Sequence, residues 1–186
     1  MIKSEAIYLL ISGAGVVRQT PALIEALSQL DLPLYTMLTE NAERVISPFQ
    51  LMAVPGHQFI DSYFDPLMLH TRKPGLVLVA PATFNTVNKI SQGIADTLAH
   101  SLTAEAIGAE WPVVIAPAAG VSLANHPRFK WSLQTLREWG LTIVPQQQTE
   151  TGLRMASIPD IVEVVQTTLA VQTTLAVQDA RKDVTA

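Results

Sequence analysis

Cysteine is absent from the 186-residue chain. Without a thiol there is no disulfide, no thiolate zinc site, no CxxC redox pair and no cysteine nucleophile. Charge is scarce as well: Asp, Glu, Lys and Arg make up 15% of residues against 48% hydrophobic, with a mean hydropathy of +0.28. So thin a polar surface on a small domain leaves apolar surface for a partner, and a homo-oligomer is expected. Positive charge is in deficit, 12 Lys and Arg against 16 Asp and Glu. Nothing therefore draws the chain electrostatically to phosphate polymers or anionic membranes, and neither nucleic acid nor membrane is expected as a partner. No apolar run reaches the ~20 residues that a membrane-spanning helix requires. Met1 to Ile11 carries Lys3 and Glu5 before a short apolar stretch that runs straight into Gly13, the pattern of a first strand and not of a signal peptide. A soluble, cytoplasmic protein is the simplest reading.

What the chain does contain is an alternation of short apolar runs with helical stretches, over a length suited to one domain. The runs Ala6–Ile11, Pro33–Leu38, Leu76–Ala80 and Val113–Ala116, with Thr142–Val144 as a shorter fifth, are too short and too uniformly apolar for amphipathic surface helices. They suit strands covered on both faces. Helices are expected over Pro21–Leu30, Ala42–Met52, Thr86–Leu98, Phe129–Trp139 and from Pro159 onward. This is the signature of βαβ units, hence an α/β domain with a parallel sheet. In such sheets ligands sit beyond the carboxyl ends of the strands, so chemistry is sought in the loops after Ile11, Leu38, Ala80 and Ala116.

The first of these loops reads Ser12-Gly13-Ala14-Gly15. It suits either a tight strand-to-helix turn or a phosphate held on free N–H groups, and it lacks the third glycine of a dinucleotide fingerprint and the Lys-Ser/Thr of a P-loop. The second, Thr39-Glu40-Asn41-Ala42, offers a hydroxyl and a helix cap. The third runs from Ala80-Pro81-Ala82-Thr83-Phe84-Asn85-Thr86 through Asn88-Lys89 to Gly93 and Asp96. Hydroxyls, carboxamides and a Lys crowd one helix entrance there, more hydrogen-bonding capacity than a cap requires, and they suit a polar heteroaromatic ligand.

The segment Pro81-Ala82-Thr83-Phe84-Asn85-Thr86 with Lys89, Gly93 and Asp96 resembles the Pro-Ala-Ser/Thr-Ala-Asn-Thr segment of the flavoprotein family of FMN-dependent cysteine decarboxylases. That family includes phosphopantothenoylcysteine decarboxylase, the lantibiotic peptidyl-cysteine decarboxylases and, more distantly, the flavin prenyltransferases. Ser12-Gly13-Ala14 with Pro21 and Leu23-Ile24, Leu38 to Ala42 with Ser47-Pro48, and His126-Pro127 with Gly140 and Val144-Pro145 extend the likeness over Ala6 to Pro145. The resemblance implies a flavodoxin-like (Rossmann-like) three-layer sandwich, FMN held where subunits meet, and a trimer or an assembly of trimers. It places Gly13 and Ala14, with Ser12, at the FMN phosphate. It adds the Thr39 hydroxyl and sets Thr83, Asn85 and Thr86 around the flavin, with Pro81 counted among the cofactor-binding residues. The Asn85 amide falls against the flavin or a substrate carboxylate. Activity of this kind would be an oxidative decarboxylation, lyase or oxidoreductase in class, of a small molecule or a peptide.

The sequence also departs from that family. Its Pro-x-Met-Asn-x-x-Met-Trp segment reads Pro117 to Ala124 here, with Gly120 for the Asn and Ala124 for the Trp. The amide that would grip a carboxylate and the indole that would cover the site are both missing, which leaves open a non-decarboxylating FMN-binding protein, a carrier or an assembly subunit. His70 is the candidate for the family's catalytic His, suited to proton transfer near neutral pH, although Arg72 stands where an acidic residue is expected; an exposed loop His is the alternative. His57, His100 and His126 lie far apart without metal-ligand spacing, and no metal is assigned.

Ser157 and Pro159 mark the start of a terminal helix. It contains a tandem repeat, Val165-Gln166-Thr167-Thr168-Leu169-Ala170 followed by Val171-Gln172-Thr173-Thr174-Leu175-Ala176. A six-residue step turns a helix by about 600°, so equivalent residues cannot share a face. Residues 1–157 are expected to form the FMN-binding domain and 158–186 a passive helix and tail of the same domain, frayed after Gln178.

Overall fold

The structure is a computed structural model that describes residues 4–66, 68, 72–150 and 152–183. The strands are β1 (Ile7–Ile11), β2 (Leu34–Leu38), β3 (Gln58–Phe59), β4 (Leu76–Ala82), β5 (Val113–Pro117) and β6 (Thr142–Ile143), followed by a small hairpin of β7 (Gln147–Thr149) and β8 (Gly152–Arg154). The first six form one sheet in the order β3-β2-β1-β4-β5-β6, with every pairing parallel. All five apolar runs expected as strands are in it.

The helices are α1 (Thr20–Leu27), α2 (Glu40–Glu43), α3 (Pro48–Met52), α4 (Phe84–Ser91), α5 (Leu98–Gly108), α6 (Val121–Ala124), α7 (Pro127–Glu138) and α8 (Ile158–Asp183). Strands β1, β4 and β5 are buried along their whole length. Alternation explains their uniform apolarity: Tyr8, Leu10, Val77, Val79 and Ile115 enter a core under α4, α5 and α7. Ile7, Leu9, Ile11, Leu76, Leu78 and Val114 enter another under α1 and α8. The result is a three-layer α/β sandwich whose central strands have no solvent face.

Several expected boundaries are corrected. The helix expected over Ala42–Met52 is two helices, because Ser47 and Gln50 form a capping box at α3 with Pro48 in its first turn, and the residue before a proline avoids the helical region. The helix expected over Thr86–Leu98 ends at Ser91, before Gly93 at φ +68°. A new helix, α5, follows its cap Thr97, whose hydroxyl accepts the backbone N–H of His100.

The terminal helix continues past Gln178 to Asp183, and its stretch up to Gln172 is docked on the domain. Ile161 and Val165 are fully buried, and Gln172 accepts a 2.6 Å hydrogen bond from Ser4 Oγ. The repeat is out of phase as expected: Val165 is buried where its counterpart Val171 is exposed, and Gln172 is buried where Gln166 is exposed.

Helix α4 is tied to α7 by buried polar groups. Ser132 Oγ donates to Asn88 Oδ1 at 2.6 Å and lies 2.9 Å from Ser91 Oγ, which donates to it. Ser132→Ala leaves the buried Asn88 carbonyl without that donor, and the fold is expected to lose about 1–3 kcal/mol, read from the urea midpoint at unchanged slope.

Candidate functional site

The order of the sheet reverses between β1 and β4: the chain proceeds outward from β1 to β2 on one side and from β4 to β5 on the other. At such a switch point the two loops leave in opposite directions and a crevice opens at the carboxyl ends. A cleft of about 610 Å³ lies there, and Gly13, Ala14, Thr39, Thr83, Asn85 and Thr86 all line it. These six residues, expected at a cofactor, come from three loops and meet in one place.

Ser12 and Pro81 stand behind the wall. The Ser12 hydroxyl donates to the Pro81 carbonyl at 2.6 Å and accepts the Thr83 N–H at 2.9 Å, while Ser12 N donates to the same carbonyl at 3.1 Å. This clasp fixes the first loop against the third. Gly13 is required by a close approach, since a Cβ there would lie 2.6 Å from the backbone carbon and oxygen of Asn41 in the second loop.

Thr83 caps α4, accepting the Thr86 N–H at 3.3 Å and contacting the Thr86 hydroxyl at 3.0 Å. Thr39 occupies the cap position of α2, yet its hydroxyl makes no cap hydrogen bond. Its Oγ1 is buried without a partner among the described residues. Asn85 is exposed on the cleft, and Phe84 beside it roots the helix entrance by stacking on Phe129 with ring centres 5.6 Å apart.

The histidines separate by role. His57 joins β2 to α3, with Nδ1 2.7 Å from Thr36 Oγ1 and Nε2 2.9 Å from the Leu51 carbonyl. His126 caps α7, Nδ1 accepting the Arg128 N–H at 3.1 Å. His70 lies outside the described residues. Arg72 pairs with Glu105 at 2.5 Å and lies over Trp111.

His100, considered in the sequence only for metal spacing, lines the cleft and is 4% exposed. Its Nδ1 is 2.7 Å from Thr97 Oγ1 and 3.4 Å from Asp96 Oδ1. Lys89 Nζ donates to Asp96 Oδ2 at 2.6 Å. Burial pushes the imidazole below its ordinary pKa and the Lys89 cation acts in the same direction, while Asp96 opposes them. The Lys89 hydrogen bond in turn holds the Asp96 carboxyl below the usual range. The legible signal was Asp96 and His100 four residues apart across a Thr cap, a spacing that puts both on one side of a helix start.

Lys89 is the one cation among the described residues lining the cleft, and it is paired; Glu40 adds negative charge. An anionic group would therefore rest on backbone N–H groups of the first loop and the α4 entrance. Gly120 borders an adjoining hollow of about 570 Å³ that shares Ala14, Gly15 and Ala118 with the cleft. A Cβ on Gly120 would meet nothing within 4 Å, and Ala124 is buried. Among the described residues no group of three or more His, Cys, Asp or Glu could hold a metal ion, and no helix is long and apolar enough to cross a membrane.

The sequence profile of the Flavoprotein family matches residues 1–171. The chain is 30% identical over 162 residues to the coenzyme A biosynthesis bifunctional protein CoaBC of Thermococcus kodakarensis, covering 84% of this chain and 40% of that protein. It thus spans about two fifths of that relative's length. Among solved structures it is similar to the peptidyl-cysteine decarboxylase EPID, with a TM-score of 0.74, 20% identity and coverage of 88% and 99% of the two chains. It is also similar to the FMN binding protein AtHal3, with a TM-score of 0.74, 19% identity and coverage of 88% and 96%. These likenesses show the shared flavodoxin-like fold.

Gly13→Ala tests the close approach of the first two loops. The added methyl must displace the Asn41 backbone, and a loss of about 1–3 kcal/mol, typical of overpacking, is expected in thermal or urea unfolding.

Proposed function

The chain belongs to the Flavoprotein family, and we propose that its cleft binds FMN and works on a small-molecule or peptide substrate that meets the flavin there. One observation carries this reading. Three buried side-chain polar atoms lack a partner among the described residues, and two of them, Thr39 Oγ1 and His100 Nε2, belong to residues lining this cleft. A buried hydroxyl or imidazole nitrogen left unpaired costs about 1–3 kcal/mol, and a polar ligand that pairs with these atoms would relieve that cost, which supports the reading. The cleft's volume suits one, since small-molecule sites run to about 300–1,000 Å³.

The residues present fit FMN. Backbone N–H groups of the turn at Gly13 and Ala14 would hold the phosphate, apart from that of Ala14 itself, which donates to the Ser12 carbonyl at 2.8 Å, with the Thr39 hydroxyl beside them. Thr83, Asn85 and Thr86 would face the flavin, where the Asn85 carboxamide offers the donor and acceptor that a pyrimidine edge requires. Ser12 and Pro81 would act from behind, by fixing the two loops. When bound, the flavin supplies two-electron oxidation of a substrate, which eases loss of a neighbouring carboxylate. The protein's own part is to bind, orient and exclude water. The identity of a base stays with His70 in this reading.

A second reading, FMN binding without cysteine decarboxylation, is favoured by the Pro117 loop. Gly120 offers no side-chain amide and opens on empty space, and Ala124 is turned into the core. We take the molecule as a cytoplasmic homo-oligomer, a trimer or an assembly of trimers. The apolar side chains of Val45, Phe49 and Met52, exposed just after the second loop, support a subunit contact close to the cleft. Residues 1–157 and the helix from 158 are taken as one FMN-binding domain.

The purified protein is expected to be yellow and to release FMN, not FAD, on denaturation; a colourless preparation that FMN fails to reconstitute overturns the reading. Asn85→Asp exchanges an amide donor for a charge and is expected to weaken FMN binding or turnover by the ~1.5–3 kcal/mol of a charge-assisted hydrogen bond, read by fluorescence titration. The FMN-loaded protein is expected not to decarboxylate phosphopantothenoylcysteine or a peptide ending in cysteine at an enzymatic rate, followed as mass loss of the product. Robust turnover would mean that another group takes the carboxylate in place of the missing amide at Gly120.

A further inference from the structure

The two nitrogens of His100 stand in opposite situations. Nδ1 faces oxygen: Thr97 Oγ1 at 2.7 Å and the Asp96 carboxylate at 3.4 Å. Thr97 Oγ1 already accepts the backbone N–H of His100 at 3.3 Å. Asp96 is kept ionised by the Lys89 ammonium at 2.6 Å. An anionic oxygen and a hydroxyl oxygen gathered on one nitrogen stabilise a proton there, which selects the tautomer with hydrogen on Nδ1. Nε2 then carries a lone pair. It is buried without a partner among the described residues, on a residue that forms part of the cleft wall.

We propose that His100 is a ligand-binding residue of the cleft, set by Thr97 and the Lys89–Asp96 pair, whose Nε2 accepts a hydrogen bond from an N–H or O–H group of the bound ligand. The assignment rests on the FMN reading above, under which the donor is a flavin ring N–H or a ribityl hydroxyl. A ligand bound in this way is held by the neutral imidazole alone. Protonation turns the acceptor into a donor, sets it against the ligand's own donor and places a charge in a buried wall. Among the described residues, the charged groups facing this site are Lys89, Asp96 and, on the opposite loop, Glu40. Burial and Lys89 press the imidazole below its ordinary pKa. Affinity is therefore full near neutrality and falls as the pH drops through a value below the ordinary ~6.5 of histidine.

The test uses the whole protein labelled with ¹⁵N-histidine. At pH 7 the His100 resonances are expected to report a neutral ring protonated on Nδ1, with Nε2 shifting on addition of riboflavin. Riboflavin is the primary probe because it lacks the phosphate, whose second ionisation near ~6 would confuse the titration. Its affinity, from fluorescence quenching, is expected to be constant from pH 7 to 8 and to weaken as the pH falls through the His100 titration followed in the same ¹⁵N spectra. His100→Gln, which returns an acceptor, is expected to bind within a few-fold of wild type at pH 7 and to lose the pH dependence. His100→Leu is expected to bind about tenfold more weakly at every pH. A ring protonated on Nε2, a pH-independent wild-type affinity, or a His100→Leu protein that binds as wild type overturns the proposal while the FMN reading stands. Failure of the wild type to bind either riboflavin or FMN overturns both.

Discussion

Strands β1, β4 and β5 expose no side chain on either face, so the chain can present polar groups only where these strands end. Burial on both faces is what the parallel sheet requires, and it forces the site to the carboxyl edge, where the strand order reverses between β1 and β4. The cleft is therefore a product of topology before it is a product of particular residues. Its walls are loops, and loops hold a geometry only when something behind them does.

Two sets of buried hydrogen bonds supply that support. The Ser12 hydroxyl ties the Pro81 carbonyl and the Thr83 N–H together, so the first and third loops cannot move independently. Asn88, Ser91 and Ser132 lock α4 to α7. The residues lining the cleft thus stand on a helix entrance fixed from two directions, the arrangement that preorganised binding demands. Ser12 is buried, and the group it holds in place at the cleft is Thr83.

The sheet was legible because short apolar runs of three to six residues, set between helical stretches, have few other structures open to them. The helices were less so. The helix expected over Thr86–Leu98 runs through Thr97, the cap of the next helix, and Gly93 alone marks the break. Strand β3 and the β7–β8 hairpin are two or three residues long, too short to leave a pattern. The loop residues of the cleft were found because hydroxyls and amides clustered at one helix entrance. His100 was missed because spacing was weighed against metal coordination only, whereas its meaning lies in tertiary contacts: burial, a carboxylate on one nitrogen, and no protein partner on the other. The unpaired Thr39 hydroxyl is of the same kind, since no sequence pattern states that a cap residue will not cap.

The terminal helix has a consequence of another order. Its hexapeptide unit opens with Val-Gln, and the same pair recurs at Val177-Gln178 directly after the second copy. Loss of one copy would shorten the helix by about 9 Å, yet it would leave valine at 165 and glutamine at 172, the positions that enter the core and meet Ser4. Gain of a copy would do the same. The docked register of the terminal helix is thus independent of how many copies of the unit follow Val164.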